Sequence, residues 1–438
     1  MNPMSIASIS KIVTRNYKNI KMDRGIDFGA LTILIGANGS GKSNLISLFQ
    51  FLRNSTFGVR TDEQRGRTKF EDAVFWLGGP RILDGFLTAP ATVSFEYVFK
   101  FEREDIVLGI DLLIQDAYRQ VVIVKEYLDN GFELSFPPAY YRIHGGGSGS
   151  GVVSVSDYPK GRLGTLMTSP THLEQIQDVP ANELALSELP RLLESRPFAP
   201  EAVPLFGPRG GILDASNTWK FYNANNMNLE RIRLAVPKLG QTDSIVSPEG
   251  ENLALVLYNL IQEELDFDES VNLAIKEILP SLRKVRGVPI GRYTLAIEFY
   301  FEGRSEPFYL SEMSDGTIRM LCWAVILHSP KPCHLIVIDE PELGIHPAWM
   351  PILAEWIKVA AQRTQVIIST HSPDLLDHFT DQLGNACSIY AFQPDTESPS
   401  HHSPTRLTRD AVSGWLEEGW QLGDLYRVGN PAVGGWPW

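Results

Sequence analysis

The stretch that decides the fold runs from Leu31 to Arg53, LTILIGANGSGKSNLISLFQFLR. LTILI, Leu31 to Ile35, reads as a buried strand, and SNLISLFQFLR reads as the helix that follows it. Between them Gly36-Ala37-Asn38-Gly39-Ser40-Gly41-Lys42-Ser43 matches GxxxxGK[ST] in full. In a strand–loop–helix context such glycines let backbone N–H groups wrap phosphates, and the helix N-terminus adds a favourable dipole. Lys42 then bridges the β- and γ-phosphates of a nucleotide, and the Ser43 hydroxyl ligates Mg²⁺. The expectation is an α/β chain that binds ATP through this loop.

Two further strand ends carry chemistry. HLIVIDEPELGIHP, His334 to Pro347, holds an apolar run that ends in two carboxylates, the pattern of a central parallel strand. Asp339 is expected in the Mg²⁺ shell, and Glu340 one residue on as the group that takes a proton from the attacking water. VIISTHSPDLLDHF, Val366 to Phe379, is a third strand ending at His371. Ser372-Pro373 reads as a helix start. Beside the other two strand ends, the His371 imidazole is expected to reach the γ-phosphate.

YLSEMSDGTIRMLCW, Tyr309 to Trp323, places a polar turn before an apolar helical run. Ser314-Asp315-Gly316 admits two readings: an ordinary N-cap, or a second anion-binding turn at the positive end of a helix.

The 438 residues suffice for two or three domains, or for one domain with a large insert. A net charge of −13 argues against a broadly basic nucleic-acid coat. Three cysteines without metal-like spacing fit a reduced, cytoplasmic protein. The first twenty residues lack the apolar core of a signal peptide, and no apolar run approaches the ~20 residues a membrane span needs. From Val93 to about Val155 the pattern alternates, as in VSFEYVFKF and RQVVIVKEY, with a hairpin signal at Asn130-Gly131. HGGGSGSG, His144 to Gly151, lacks the Lys-Ser/Thr of a phosphate loop and reads as a flexible hairpin tip. From about Pro180 to Arg283 the spacing turns helical.

GANGSGKSNL, LSEMSDGTIR, VIDEPELGIHP and STHSPDLL, with NYKNI before the glycine loop, resemble an ABC-type or AAA-like P-loop ATPase of the RecF/SMC/OLD-like branch. WKFYNANN and GENLALVLYNL resemble stand-alone bacterial members. The resemblance is specific over Ile6 to Ser47 and Leu310 to Leu376. It implies that Ser314-Asp315-Gly316 is a signature loop serving the nucleotide of a partner subunit. Two subunits would meet head to tail, with Ser314 and Gly316 of one against the γ-phosphate held by Lys42 of the other. Asp315 stands where transporters carry Gly. Leu343-Gly344-Ile345-His346 takes the place of the D-loop. Gln50, Gln64 and Gln115 remain open as the Q-loop glutamine, and the adenine contact is placed only within Arg15 to Asn19.

The expected fold is thus α/β: a P-loop NTPase core of ABC/RecF type with an inserted antiparallel β section and helical lid. Residues 1–60 and 300–400 form the core, 61–299 the insert, and 401–438 an aromatic tail. The resemblance implies a cytoplasmic, ATP-hydrolysing homodimer or higher oligomer. It would be the ATPase subunit of a bacterial defence or toxin–antitoxin-like system acting with a separate effector protein. A RecF-like DNA-binding repair ATPase is the alternative, so DNA stays a possible partner. A transporter subunit fits less well, since the LSGGQ form is absent. Only 67 residues follow His371, which disfavours a fused nuclease.

Overall fold

The computed structural model of the chain describes residues 8–59, 67–102, 104–115, 120–129, 141–145, 149–156, 171–193, 206–331, 333–384, 387–395, 398 and 400–434. Along the chain, β1 (Ser8–Tyr17), β2 (Ile20–Asp27) and β3 (Leu31–Ile35) lead through the glycine loop into α1 (Lys42–Phe57) and α2 (Lys69–Leu77). Six strands follow: β4 (Ala91–Lys100), β5 (Asp105–Ile114), β6 (Val121–Asp129), β7 (Tyr141–His144), β8 (Gly149–Ser156) and β9 (Thr171–Val179). Next come α3 (Ala185–Leu193), α4 (Phe206–Asn217), β10 (Lys220–Asn223), α5 (Leu229–Leu234), α6 (Leu253–Glu263) and α7 (Leu265–Ile278). β11 (Leu282–Ile290), β12 (Thr294–Phe301) and β13 (Phe308–Tyr309) precede α8 (Asp315–His328), β14 (Leu335–Asp339), α9 (Met350–Ala361), β15 (Gln365–Thr370) and α10 (Pro373–Asp377). β16 (Cys387–Pro394), β17 (His402–Leu407), α11 (Arg409–Glu417) and α12 (Leu422–Arg427) complete the order.

The chain divides into two compact units, Met1–Phe28 with Gly39–Trp219 and Phe392–Thr405, and Gly29–Asn38 with Lys220–Ala391 and Arg406–Trp438. In the first unit the strand order is β17-β2-β1-β4-β5-β6-β7-β8-β9. β17 meets β2 in parallel at His402 and Ile20; the other neighbours are antiparallel. The alternation read from VSFEYVFKF is visible in β4, where Val93, Phe95, Tyr97 and Phe99 are fully buried. They face the apolar side of α1, with Phe51 tilted on Phe95 at 5.4 Å. The antiparallel strands are not a separate sheet, because β4 pairs along β1 from Ser8↔Lys100 to Arg15↔Ser94. Asn130-Gly131 and residues 146–148 lie outside the described residues, although the strands flanking the latter pair as a hairpin.

The second unit is built on five parallel strands in the order β10-β14-β15-β3-β16. β3 and β14 are apolar almost throughout and buried on both faces, as interior parallel strands require. α8 is buried nearly all round, from Ile318 through Leu327 apart from Arg319, so it is a core helix rather than an amphipathic surface one. β11, β12 and β13 form a separate antiparallel sheet against α6. There Gly287 lets the strand approach closely: a Cβ would lie 2.9 Å from the Ala254 carbonyl oxygen. The helical pattern expected from Pro180 to Arg283 is interrupted by β10, which joins the parallel sheet beside β14.

Candidate nucleotide site

The glycine loop connects β3 of the second unit to α1 of the first, in the strand–loop–helix order expected. Gly36, Gly39 and Gly41 have φ of 145°, 79° and 101°, which only glycine adopts at little cost. Gly41 caps α1, and Lys42 at the first helical position is buried. Around Gly39–Ser43, the Asn19 side chain donates to the Gly39 carbonyl at 3.0 Å and accepts from Asn44 at 2.9 Å. Lys18 in turn donates to Asn44 at 3.0 Å, and burial pulls the Lys18 ammonium below its ordinary range. Asn16 and Lys18 both hold positive φ in this β1–β2 turn. Lys18 and Asn19 thus brace the loop. The Ser40 hydroxyl is buried without a hydrogen-bond partner, and a Cβ on Gly39 would meet nothing within 4 Å. A loop with an orphaned hydroxyl and open space before its backbone fits a phosphate group.

In the second unit, the carboxyl ends of β10, β14 and β15 lie side by side, where open α/β sheets bind ligands. Asp339 closes β14. Its carboxylate accepts from Asn223 at 2.9 Å and from the Ser369 hydroxyl. Glu340 sits in the left-handed region at φ 53°, a conformation unusual for a non-glycine residue and enriched at functional sites. Its N–H donates to the Ser369 carbonyl at 3.0 Å, which holds that turn. The Glu340 side chain accepts from Asn225 at 2.8 Å and lies 3.3 Å from His371 Nδ1. Asp339, Glu340 and His371 are therefore brought together. Asn223 and Asn225 were not assigned a part from the sequence: they sit in WKFYNANN, where four strand residues are too few to signal a strand. Glu342 was missed as well. It is buried, and its Oε1 accepts from Thr370 Oγ1 at 2.7 Å and from the His371 N–H at 3.2 Å. Burial pushes its carboxyl above the usual range, against those hydrogen bonds and the nearby His371.

The Ser314-Asp315-Gly316 turn opens α8. Ser314 caps the helix by accepting from the Thr317 N–H at 3.3 Å, so the N-cap reading is met. Ser314 and Asp315 are nonetheless exposed. The turn shares an open concavity with Gly344, Ile345, His346, Ala348 and Trp349, which unites it with the stretch placed as the D-loop. A Cβ on Gly316 would lie 3.2 Å from the Trp349 ring and 3.4 Å from the Gly344 carbonyl. Trp323 of α8 donates to the Pro341 carbonyl at 3.0 Å, tying α8 to the turn that follows Glu340. Of the Q-loop candidates, Gln50 is exposed on α1, Gln115 follows β5, and Gln64 lies outside the described residues.

Among the described residues no helix is long and apolar enough to cross a membrane. No curated protein matches the chain. Among solved structures, it is similar to an SmcHead bound to the C-winged helix domain of ScpA, at 12% identity and TM-score 0.49, over 93% of this chain and 99% of that one. The SMC head domain from Thermotoga maritima matches at 14% identity and TM-score 0.44, over 91% and 98%. A Smc head domain with an extended coiled coil, bound to the C-terminal domain of ScpA derived from Pyrococcus furiosus, matches at 12% and 0.44, over 94% and 99%. The family model described as "AAA domain, putative AbiEii toxin, Type IV TA system" matches residues 31–143 and 209–377, well over half of the chain. With its complete glycine loop at the end of β3, the chain belongs to that family of P-loop ATPases.

Proposed function

We propose that this ATPase is a head-to-tail dimeric switch, in which ATP joins two subunits and its hydrolysis releases them. The observation that carries the reading is the cluster of Asp339, Glu340 and His371 at adjacent strand ends, braced by Asn223, Asn225 and Ser369. Gly36 to Ser43 cradles the phosphates, and Lys42 neutralises the γ-phosphate. Water attacks the γ-phosphorus as the bond to the bridging oxygen of ADP breaks, and Glu340 receives the water proton. His371 donates to the γ-phosphate. A hydroxyl such as that of Ser43 and a carboxylate such as that of Asp339 are the hard oxygen donors that Mg²⁺ takes together with phosphate oxygens and waters. Those two residues would hold it, and its charge would offset that of the phosphates.

The exposed Ser314 turn, sharing one concavity with the D-loop stretch, supports contact with a second subunit. The family description names a toxin of a type IV toxin–antitoxin system. It supports a toxin–antitoxin-like role for this ATPase; a separately encoded effector and a cytoplasmic location complete the proposed reading.

The test is to compare Lys42→Ala and Glu340→Gln by nucleotide titration and single-turnover hydrolysis. Lys42→Ala is expected to lose binding. Glu340→Gln is expected to keep binding and lose about 10²–10⁴-fold in rate. Hydrolysis at the normal rate by Glu340→Gln would contradict the assignment.

A further inference from the structure

Two carboxylates approach the same nitrogen of the His371 imidazole. Its Nδ1 is 3.3 Å from Glu340 Oε1 and 3.6 Å from Glu342 Oε1, and it is hydrogen-bonded to neither. The two carboxylates differ in every other respect. Glu340 is reachable from solvent and its turn is held by Ser369 and Asn225. Glu342 is almost wholly buried, and one of its oxygens already takes the Thr370 hydroxyl and the His371 N–H. Its other oxygen, Oε2, has no partner at all. A buried carboxylate with an unsatisfied oxygen is costly. The second unit nevertheless builds α12 across this region. Arg427 on α12 pairs with Asp374 and Asp377 of α10, the helix that follows His371. The Gly423 N–H donates to Asp377 at 2.6 Å. Tyr426 of the same helix is buried, its hydroxyl is likewise without a partner, and it feels the Glu342 charge.

We propose that Glu342 is a positioning residue for hydrolysis: it fixes the Thr370–His371 corner and draws the imidazole away from Glu340, which leaves Glu340 to the attacking water. The inference rests on the reading of Glu340 and His371 given above. A free His371 would pair with the nearer carboxylate and occupy the oxygen that must accept the water proton. Glu342 opposes that pairing with a charge of its own, which competes for the same Nδ1 from 3.6 Å. Because it is buried against Thr370 and the His371 N–H, its removal acts on the rate and not on affinity.

Glu342→Gln keeps the shape and one acceptor oxygen for Thr370 and His371, and removes the charge. We expect nucleotide affinity, measured by titration with a fluorescent ATP analogue, to stay within about twofold, with single-turnover hydrolysis about 10-fold slower. The ¹⁵N resonances of the His371 imidazole should shift in the variant without nucleotide. In a Glu340→Gln background the same change should add little, because the effect passes through Glu340. Thr370→Val removes the hydroxyl that anchors Glu342, and it should slow hydrolysis several-fold with binding intact. This second variant carries the test if Glu342→Gln does not fold. A wild-type rate in the folded variant, unchanged His371 resonances, or equal losses of affinity and rate would overturn the proposal. A normal rate in Glu340→Gln alone would instead overturn the underlying reading.

Discussion

Arg233 forms an ion pair with Asp315, the acidic residue in the turn that opens α8, and also donates to the Met313 carbonyl at 3.0 Å. An unpaired carboxylate there would repel any phosphate brought near Ser314 and Gly316. With the guanidinium alongside, the turn presents a neutral pair and the positive end of a core helix. The relationship makes an acidic residue compatible with the anion-facing role proposed for this turn.

Arg233→Ala should therefore weaken ATP-dependent dimerisation and leave nucleotide binding by the single subunit unchanged. A partly solvated charge pair is worth about 1 kcal/mol, so the dimer dissociation constant should rise several-fold. Sedimentation of the variant in a Glu340→Gln background with ATP measures it. An unchanged dimer would remove Asp315 from the interface.

Asn225 donates to Glu340 at 2.8 Å. A hydrogen bond to a charged group contributes about 1.5–3 kcal/mol, so Asn225→Ala should lower kcat roughly 10–100-fold with little effect on nucleotide affinity. Steady-state and single-turnover kinetics check it.

Much of this was legible in the sequence, and the legible parts share a property. The glycine loop, the DE pair and the alternation of β4 each state their structure within about ten residues. β10 does not: Lys220–Asn223 is a strand only because β14 lies beside it, so Asn223 and Asn225 went unassigned. Glu342 stayed silent for a related reason. Its environment is assembled from Thr370, His371 and α12, which come together only in the fold. The aromatic tail is a third case. It supplies buried Leu422, Leu425, Tyr426 and Val433 to the second unit; Trp436 and Trp438 lie outside the described residues.

Deleting residues 419–438 should consequently destabilise that unit. Each large apolar side chain removed from the core costs about 1.5–3 kcal/mol, and four of them approach the whole stability of a domain. Thermal melting and limited proteolysis should show loss of a cooperative transition. A truncated protein with an unchanged melt would contradict this core role of the tail.

Glu126 of β6 offers a pH-dependent test of the first unit. It accepts the Ala185 and Leu186 N–H groups that open α3, at 2.7 and 2.8 Å, and the Tyr141 hydroxyl at 2.6 Å. Burial outweighs those bonds and raises its carboxyl to about 7. The folded state thus binds this proton more tightly than the unfolded chain. Its contribution is complete below the unfolded value near 4.5 and is lost as pH rises towards 7. Relative to Glu126→Gln, the wild type should lose stability across that window and change little above it. Denaturant melts of both proteins from pH 4.5 to 8 read the difference, and parallel curves would contradict the assignment.

The central claim is that Ser314 of one subunit completes the site built on Lys42 of another, and mixing two inactive variants tests it most directly. Alone, Ser314→Arg should bind ATP without hydrolysing it, and Lys42→Ala should not bind. In a mixed head-to-tail dimer one composite site carries both lesions and the other carries neither. ATP hydrolysis should therefore reappear on mixing and rise with the fraction of mixed dimer. Wild-type hydrolysis by Ser314→Arg alone, or no recovery in mixtures proven to contain the mixed dimer, would contradict the account.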